Sequence, residues 1–233
     1  MFFFCMIPLL TKDDDMPNWC WQYAEVSGRD EDIMELINAM RVKDGSTDPE
    51  EKYSLNQLYP IPQDLADTIS GSLANGDEQD ENQRKQAENM IKYGHKDWYD
   101  WANAKWDTKW GACDVELDPE DLLNGSLHFK FESAWSPAIG LLRKVSELFP
   151  KLVIGVHYTE EAEFFAGWHV FAKGNIIAVG DVATSNPEFE TDAFQALPDE
   201  ERWERISKNG HEVLMEICDG MDADMREWKK VSA

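Results

Sequence analysis

The stretch from Leu127 to Tyr158 constrains the fold more than any other part of the chain. Leu127, Phe129 and Phe131 alternate with His128, Lys130 and Glu132. That period of two gives one apolar and one wet face, as a half-buried strand requires. Ser136-Pro137 then predicts a helix start, since a serine oxygen can accept from free backbone N–H groups and a first-turn proline gives up no hydrogen bond. Ile139, Leu142, Val145 and Phe149 follow at spacings of three and four, and Leu141 and Leu148 widen the stripe. Pro150 ends the helix by pushing its predecessor out of the α region. Leu152, Ile154, Val156 and Tyr158 then line one face of a second strand. Two strands joined by one helix run parallel, with a right-handed crossover.

The rest of the chain is placed around that unit. Residues 1–15 begin Met1-Phe2-Phe3-Phe4 and end Asp13-Asp14-Asp15, without the positive charge and cleavage site of a secretory signal. An added strand, a contact site for another chain and a disordered extension all remain open for them. Asn18 to Ser27 reads as a strand, with Trp19, Trp21 and Tyr23 on one side and Cys20, Ala24 and Val26 on the other. Asp30 is placed to cap a helix carrying Ile33, Leu36, Ile37 and Met40, which Asp44-Gly45-Ser46 stops.

Residues 43–108 read as an insertion. Two prolines make residues 55–62 an extended or turning segment, and Gly71 to Asp80 is small and polar, hence a loop. Asp80 to Tyr93 reads as a helix with Ala87, Met90 and Ile91 as its thin apolar side, and Asp97 to Trp106 as another. Lys109 to Leu117 is a strand candidate, followed by an Asn124-Gly125 turn. Thr159 to Glu163 reads as an acidic loop, and Phe164–Ala172 with Asn175–Val182 as a hairpin turning at Lys173-Gly174. Pro198 opens a helix with Trp203, Ile206, Val213, Leu214 and Ile217 on one face and Gly210 as a weak point. An amphipathic stripe of this kind packs on a sheet more often than it waits for a partner. The expected organisation is an extension (1–15), a domain (16–182) carrying the insertion, and an acidic helical extension (183–233).

In order, these elements read βαββαβ plus a hairpin, an α+β arrangement of the ferredoxin-like kind: an antiparallel sheet with helices on one face. Met16-Pro17-Asn18-Trp19-Cys20, Trp106 with Thr108-Lys109-Trp110, Trp135-Ser136-Pro137, Phe149-Pro150, and Tyr158 with Glu160, Phe165 and Gly167 carry a further resemblance. The set resembles the YubB-like ferredoxin-like proteins of phages and plasmids. It covers about residues 16–180, departs at Asp107 and Ala138, and leaves Met16 as an alternative initiator. The resemblance implies a fold and a mobile-element origin. It carries over no catalytic residues.

The formal net charge is -24, from 46 acidic and 22 basic residues. Charge of this size keeps a protein soluble. It also repels nucleic acid and anionic lipid and attracts basic protein surfaces. Cys5, Cys20, Cys113 and Cys218 show no CxxC spacing and read as reduced, buried thiols. No apolar run approaches the roughly 20 residues of a membrane span.

Candidate chemistry is sparse. His157 and His169 sit on neighbouring predicted strands, with Glu160, Glu161 and Glu163 between them, but a metal site needs three or four converging ligands. Asp219 to Asp224 resembles a calcium loop yet lacks its glycine and its closing glutamate, so a solvated helix end is expected. Trp98, Trp101, Trp106 and Trp110 could form a nucleic-acid platform, but the charge has the wrong sign, and core packing is the better reading.

The expectation is therefore a non-enzymatic phage or plasmid protein without cofactor, in the cytoplasm of the host cell. It would bind and inhibit a basic host protein of a nucleic-acid-acting defence or restriction complex, with imitation of DNA phosphates by its carboxylates as one way of doing so. The partner-binding candidates are Glu160, Glu161, Glu163, Asp199, Glu200, Glu201, Glu204, Asp222 and Asp224. Direct nucleic-acid or membrane binding is not expected, and a homo-oligomer is left open. The alternatives are a metal-dependent hydrolase using His157, His169 and nearby glutamates, or a self-assembling scaffold.

Overall fold

The computed structural model describes residues 17–42, 52–71, 73, 76–161, 165–184 and 186–232. The expectations for residues 1–15, Met16, the Asp44-Gly45-Ser46 stop and Glu163 lie outside these. In chain order the elements are β1 (Trp19–Ser27), α1 (Asp30–Met40), α2 (Gln63–Ala66), α3 (Gly76–Tyr93) and α4 (Trp98–Trp106). Then follow β2 (Cys113–Leu117), β3 (Ser126–Ala134), α5 (Ile139–Leu148), β4 (Val153–Glu160), β5 (Ala166–Ala172), β6 (Asn175–Val182), α6 (Asp192–Gln195) and α7 (Asp199–Ser232).

The strands form one antiparallel sheet in the order β2-β3-β1-β4-β5-β6. β3 and β4, joined by α5, run the same way, but β1 lies between them and pairs antiparallel with both. This split arrangement is the ferredoxin-like one, extended by the β5–β6 hairpin. The turns at Asn124-Gly125 and Lys173-Gly174 have positive φ at both residues (52° and 77°, 52° and 76°), the backbone that matches strand twist in a tight hairpin.

One face of the sheet carries the main core. Ala24, Val26, Leu127, Phe129, Phe131, Ile154, Val156 and Phe171 meet Ile33, Leu36, Ile37 and Met40 of α1 and Leu141, Leu142 and Val145 of α5. Leu148 is the exception to the expected α5 stripe and is half exposed. Ser136 does not cap α5. Its hydroxyl donates to the Asp107 carbonyl, and the Ala138 N–H is satisfied instead by Gln22 Oε1 from β1, at 3.0 Å. Asp30 likewise does not cap α1. Its Oδ1 accepts from Gly125 N at 2.9 Å and ties the β3 turn to the helix.

The insertion packs on that core through Leu55, Leu65, Trp101 and Trp106. Trp98, Trp101 and Trp106 are buried, and the Trp106 indole donates to the Tyr59 carbonyl at 2.9 Å. The Gly71–Asp80 loop is shorter than expected, because α3 starts at Gly76. α3 also faces the other way round. Ala87, Met90 and Ile91 point outward, with Ile91 89% exposed, while the inward side is polar. Asn82 holds both backbone groups of Ile69 at 3.0 Å, and Asn89 donates to Thr68 Oγ1 at 2.9 Å and to the Lys96 carbonyl at 3.2 Å. Buried amides with satisfied bonds can orient a helix against its own apolar stripe, because leaving such groups unpaired costs more than exposing these three apolar side chains.

α7 rests on the opposite face, against β4, β5 and β6. Val213, Ile217, Met221 and Met225 point inward; Trp203 (70% exposed) and Leu214 do not, which corrects the expected stripe. Asp219 to Asp224 lies within the helix rather than at its end. The contact is organised by Trp168 of β5. A Cβ on Gly220 would lie 2.6 Å from its ring, a Cβ on Gly180 of β6 would overlap it, and its Nε1 donates to Asp224 Oδ2 at 2.8 Å.

A glycine inside a helix normally costs about 1 kcal/mol relative to alanine. At Gly220 the order reverses, because the indole is wedged against Gly180 and cannot turn away. Gly220→Ala should lower stability by about 1–3 kcal/mol, the cost of overpacking. Urea denaturation measures this; a stabilised variant would show that Trp168 is not held in the slot.

Candidate interaction surface

α7 covers only part of its face of the sheet. On the remaining strands β2, β3 and β1, the outward side chains form rows that the strand register fixes. Glu132, Trp21 and Thr159 make one row, and Lys130, Tyr23 and His157 the next, with Glu116 of β2 completing the second. His128 and Glu25 form a third. Trp21 is 42% and Tyr23 46% exposed. Trp19 stands at the margin against Trp110, ring centroids 6.1 Å apart, and Lys109 Nζ lies 4.6 Å from the Trp110 ring.

This face is acidic as well as aromatic. Glu132 is held above the usual carboxylate range, first by partial burial and then by the charges of Asp114, Glu116 and Glu161, with Lys130 opposing. Lys130 pairs with Glu116 at 2.8 Å, so one cation faces several carboxylates. Asp114 has φ 48° at a register shift between β2 and β3, a bulge that bends the edge strand.

At the border with α7, Cys218 Sγ lies 3.5 Å from His157 Nε2, and Tyr23 stacks on the His157 ring at 5.1 Å. Burial pushes His157 down to about 4. Burial, with Asp222 and Asp219, pushes the Cys218 thiol up. Both directions favour the neutral thiol and neutral imidazole over the ion pair that activates a nucleophile. Cys20 is buried, its thiol pushed up to about 12 by burial and then by Glu160.

His157 and His169 do not face each other. His169 pairs with Val156 in the register and His157 with Trp168, which puts the two imidazoles on opposite faces of the sheet. His169 stacks on Phe171 at 6.0 Å, on the core side. The alternation of a strand separates side chains one residue out of register, so these histidines cannot share one ion. Among the described residues, no group of three or more His, Cys, Asp or Glu side chains is placed to hold a metal ion.

The other candidates are scattered. Glu160 is 2% exposed and accepts from Asn18 Nδ2 at 2.6 Å, whereas Glu161 is exposed and accepts from Trp19 N at 3.0 Å. Both extend or follow β4, where an acidic loop was expected. On α7, Asp199 pairs with Arg202, Glu201 with Arg205 and Asp222 with Arg226, while Glu200 and Glu204 are exposed. Asp224 holds the Trp168 indole. Glu116 and Glu132 are additions to the expected set. The sequence carried their signal in the outward residues of adjacent strands, but strand order had to be known before they could be grouped with Trp21.

Comparison with known proteins bears on the fold. Residues 105–200 match the family model described as a ferredoxin-like domain in Api92-like protein, a span that includes β2 to β6 and α5. A crystal structure of a protein api92 from Yersinia pseudotuberculosis is similar at 11% identity and a TM-score of 0.42, over 73% of this chain and 99% of that one. No curated protein sequence matches the chain. No helix among the described residues is long and apolar enough to cross a membrane.

His157 gives a pH prediction. Its pKa is depressed from the ordinary 6.5, so the folded state resists the proton that the unfolded chain accepts. The stability it preserves is present above pH 6.5 and is lost as pH falls from 6.5 towards 4, on the order of 3 kcal/mol. Denaturation midpoints across that window should fall less steeply for His157→Gln than for the parent chain. Identical slopes would place His157 in water.

Proposed function

We propose that the chain is a non-enzymatic protein of a phage or plasmid that binds and inhibits a basic host protein, one of a nucleic-acid-acting defence or restriction complex. Its carboxylates take the place of DNA phosphates on that protein's surface. The observation that carries this reading is the charge: -24 on 233 residues. Carboxylates lie on the outer side of α7 and on β1, β2 and β3, and others on α1 and α3. A field of one sign speeds encounter with a surface of the other and repels nucleic acid itself. The resemblance of residues 16–180 to YubB-like proteins supports the mobile-element origin.

The sequence candidates that fit an electrostatic surface are those left at the exterior: Glu161, Asp199, Glu200, Glu201, Glu204 and Asp222. Glu160 and Asp224 serve the fold, one near the start of β1 and the other at Trp168.

Immobilised full-length chain exposed to host lysate should retain a nucleic-acid-binding protein at low salt. Retention should fall steeply as salt is raised and the field is screened. Capture of no protein at low salt contradicts the reading, as does capture that is indifferent to salt.

A further inference from the structure

We infer that the bare half of the sheet is a docking face for an arginine-bearing segment of a partner protein, with Trp21 and Glu132 together receiving one guanidinium. The inference rests on the reading of the chain as a binder of basic protein surfaces and assigns that reading a place.

Three observations point there. First, α7 leaves β2, β3 and β1 uncovered on its side among the described residues, and two large aromatic side chains of β1, Trp21 and Tyr23, are partly exposed there. A soluble surface seldom groups exposed rings without a contact to make. Second, the rings stand among carboxylates. The register places Glu132 directly beside Trp21, and the charges of Asp114, Glu116 and Glu161 reach Glu132. An aromatic face attracts a cation, and an adjacent carboxylate fixes its plane. Third, the margin of the same surface already makes such a contact internally, where Lys109 lies over Trp110.

Within the face the two aromatic positions are not equivalent. Tyr23 has the His157 ring stacked on it and Lys130 as its register partner. Among the described residues the register partners of Trp21 are Glu132 and Thr159, whereas Tyr23 is already paired with the cation Lys130. Arginine suits Trp21 better than lysine does, because a planar guanidinium can stack on the indole while its N–H groups reach the carboxylate.

The probe is a fluorescently labelled eight-residue peptide of alternating Arg and Ser, titrated against the full chain by anisotropy. A Lys-Ser peptide and a Glu-Ser peptide serve as comparisons. The Arg-Ser peptide should bind most tightly and the Glu-Ser peptide not at all. Trp21→Ala and Glu132→Gln should each weaken the Arg-Ser peptide about three- to ten-fold. Glu35→Gln with Glu147→Gln, exposed on α1 and α5 on the other side of the sheet, should change binding less than about two-fold, as expected for exposed charges outside the site. Equal loss from this α1–α5 pair, no loss from the sheet variants, or saturable binding of single-stranded RNA at Trp21 in place of the peptide would overturn the inference. So would failure of the peptide to bind the parent chain. If lysate capture still succeeds in that case, the wider reading stands and only its placement is wrong. Peptide binding without any captured host protein has the opposite meaning.

Discussion

Trp168 lies between Gly180 of β6 and Gly220 of α7, and this slot fixes where the C-terminal helix can rest. The indole fills the space a side chain would need on either neighbour, and its N–H is satisfied by Asp224. Ile217, Met221 and Met225 close over β4 and β5 on the same side. A helix held there covers β4, β5 and β6 and leaves β1, β3 and β2 outside its footprint. The other face needs no such device, since α1 and α5 bury a continuous apolar layer against it. α1 and α5 cover most of one face and leave Val179 and Ile176 of β6 exposed there, whereas α7 covers half of the other, and that difference gives the molecule its surface of interest.

That surface joins two properties which seldom serve stability. Exposed indole and phenol rings gain little from water, and crowded carboxylates repel one another. Glu132 shows the cost directly, since burial and three neighbouring acids hold its proton more firmly than usual. Such a combination is tolerable when it is small, and it becomes favourable when a cation arrives. The Cys218–His157 contact at its border has a different character. Both groups are kept neutral there, so the contact joins α7 to the sheet without supplying a nucleophile.

The sequence made some parts of this structure legible and hid others, for identifiable reasons. β3, α5, β4 and the β5–β6 hairpin follow from period-two and period-three-to-four patterns and from Asn-Gly and Lys-Gly turns. The orientation of α3 was hidden, because its buried face consists of Asn82 and Asn89, and a hydrophobicity pattern cannot credit hydrogen bonds to distant backbone. Ser136 and Asp30 look like caps, but Gln22 from β1 takes the first role and the second is vacant because Asp30 is drawn to Gly125. The face of α7 was misread at Trp203 and Leu214, whereas Gly220 was the informative residue: it marked a close approach that only the position of Trp168 explains. Trp21 was visible as one side of a strand, but its pairing with Glu132 depended on β1 lying next to β3, a fact of topology rather than of local pattern.

The central claim is that α7 covers β4, β5 and β6 on its face and that, among the described residues, nothing covers β1, β2 and β3 there. Hydroxyl-radical footprinting of the free, full-length chain, read residue by residue by mass spectrometry, tests it most directly. Trp21, Tyr23 and Trp203 should oxidise rapidly, and Met221 and Met225 slowly despite the reactivity of methionine sulfur. Fast oxidation of Met221 and Met225 together with protection of Trp21 would place the helix elsewhere and contradict the account.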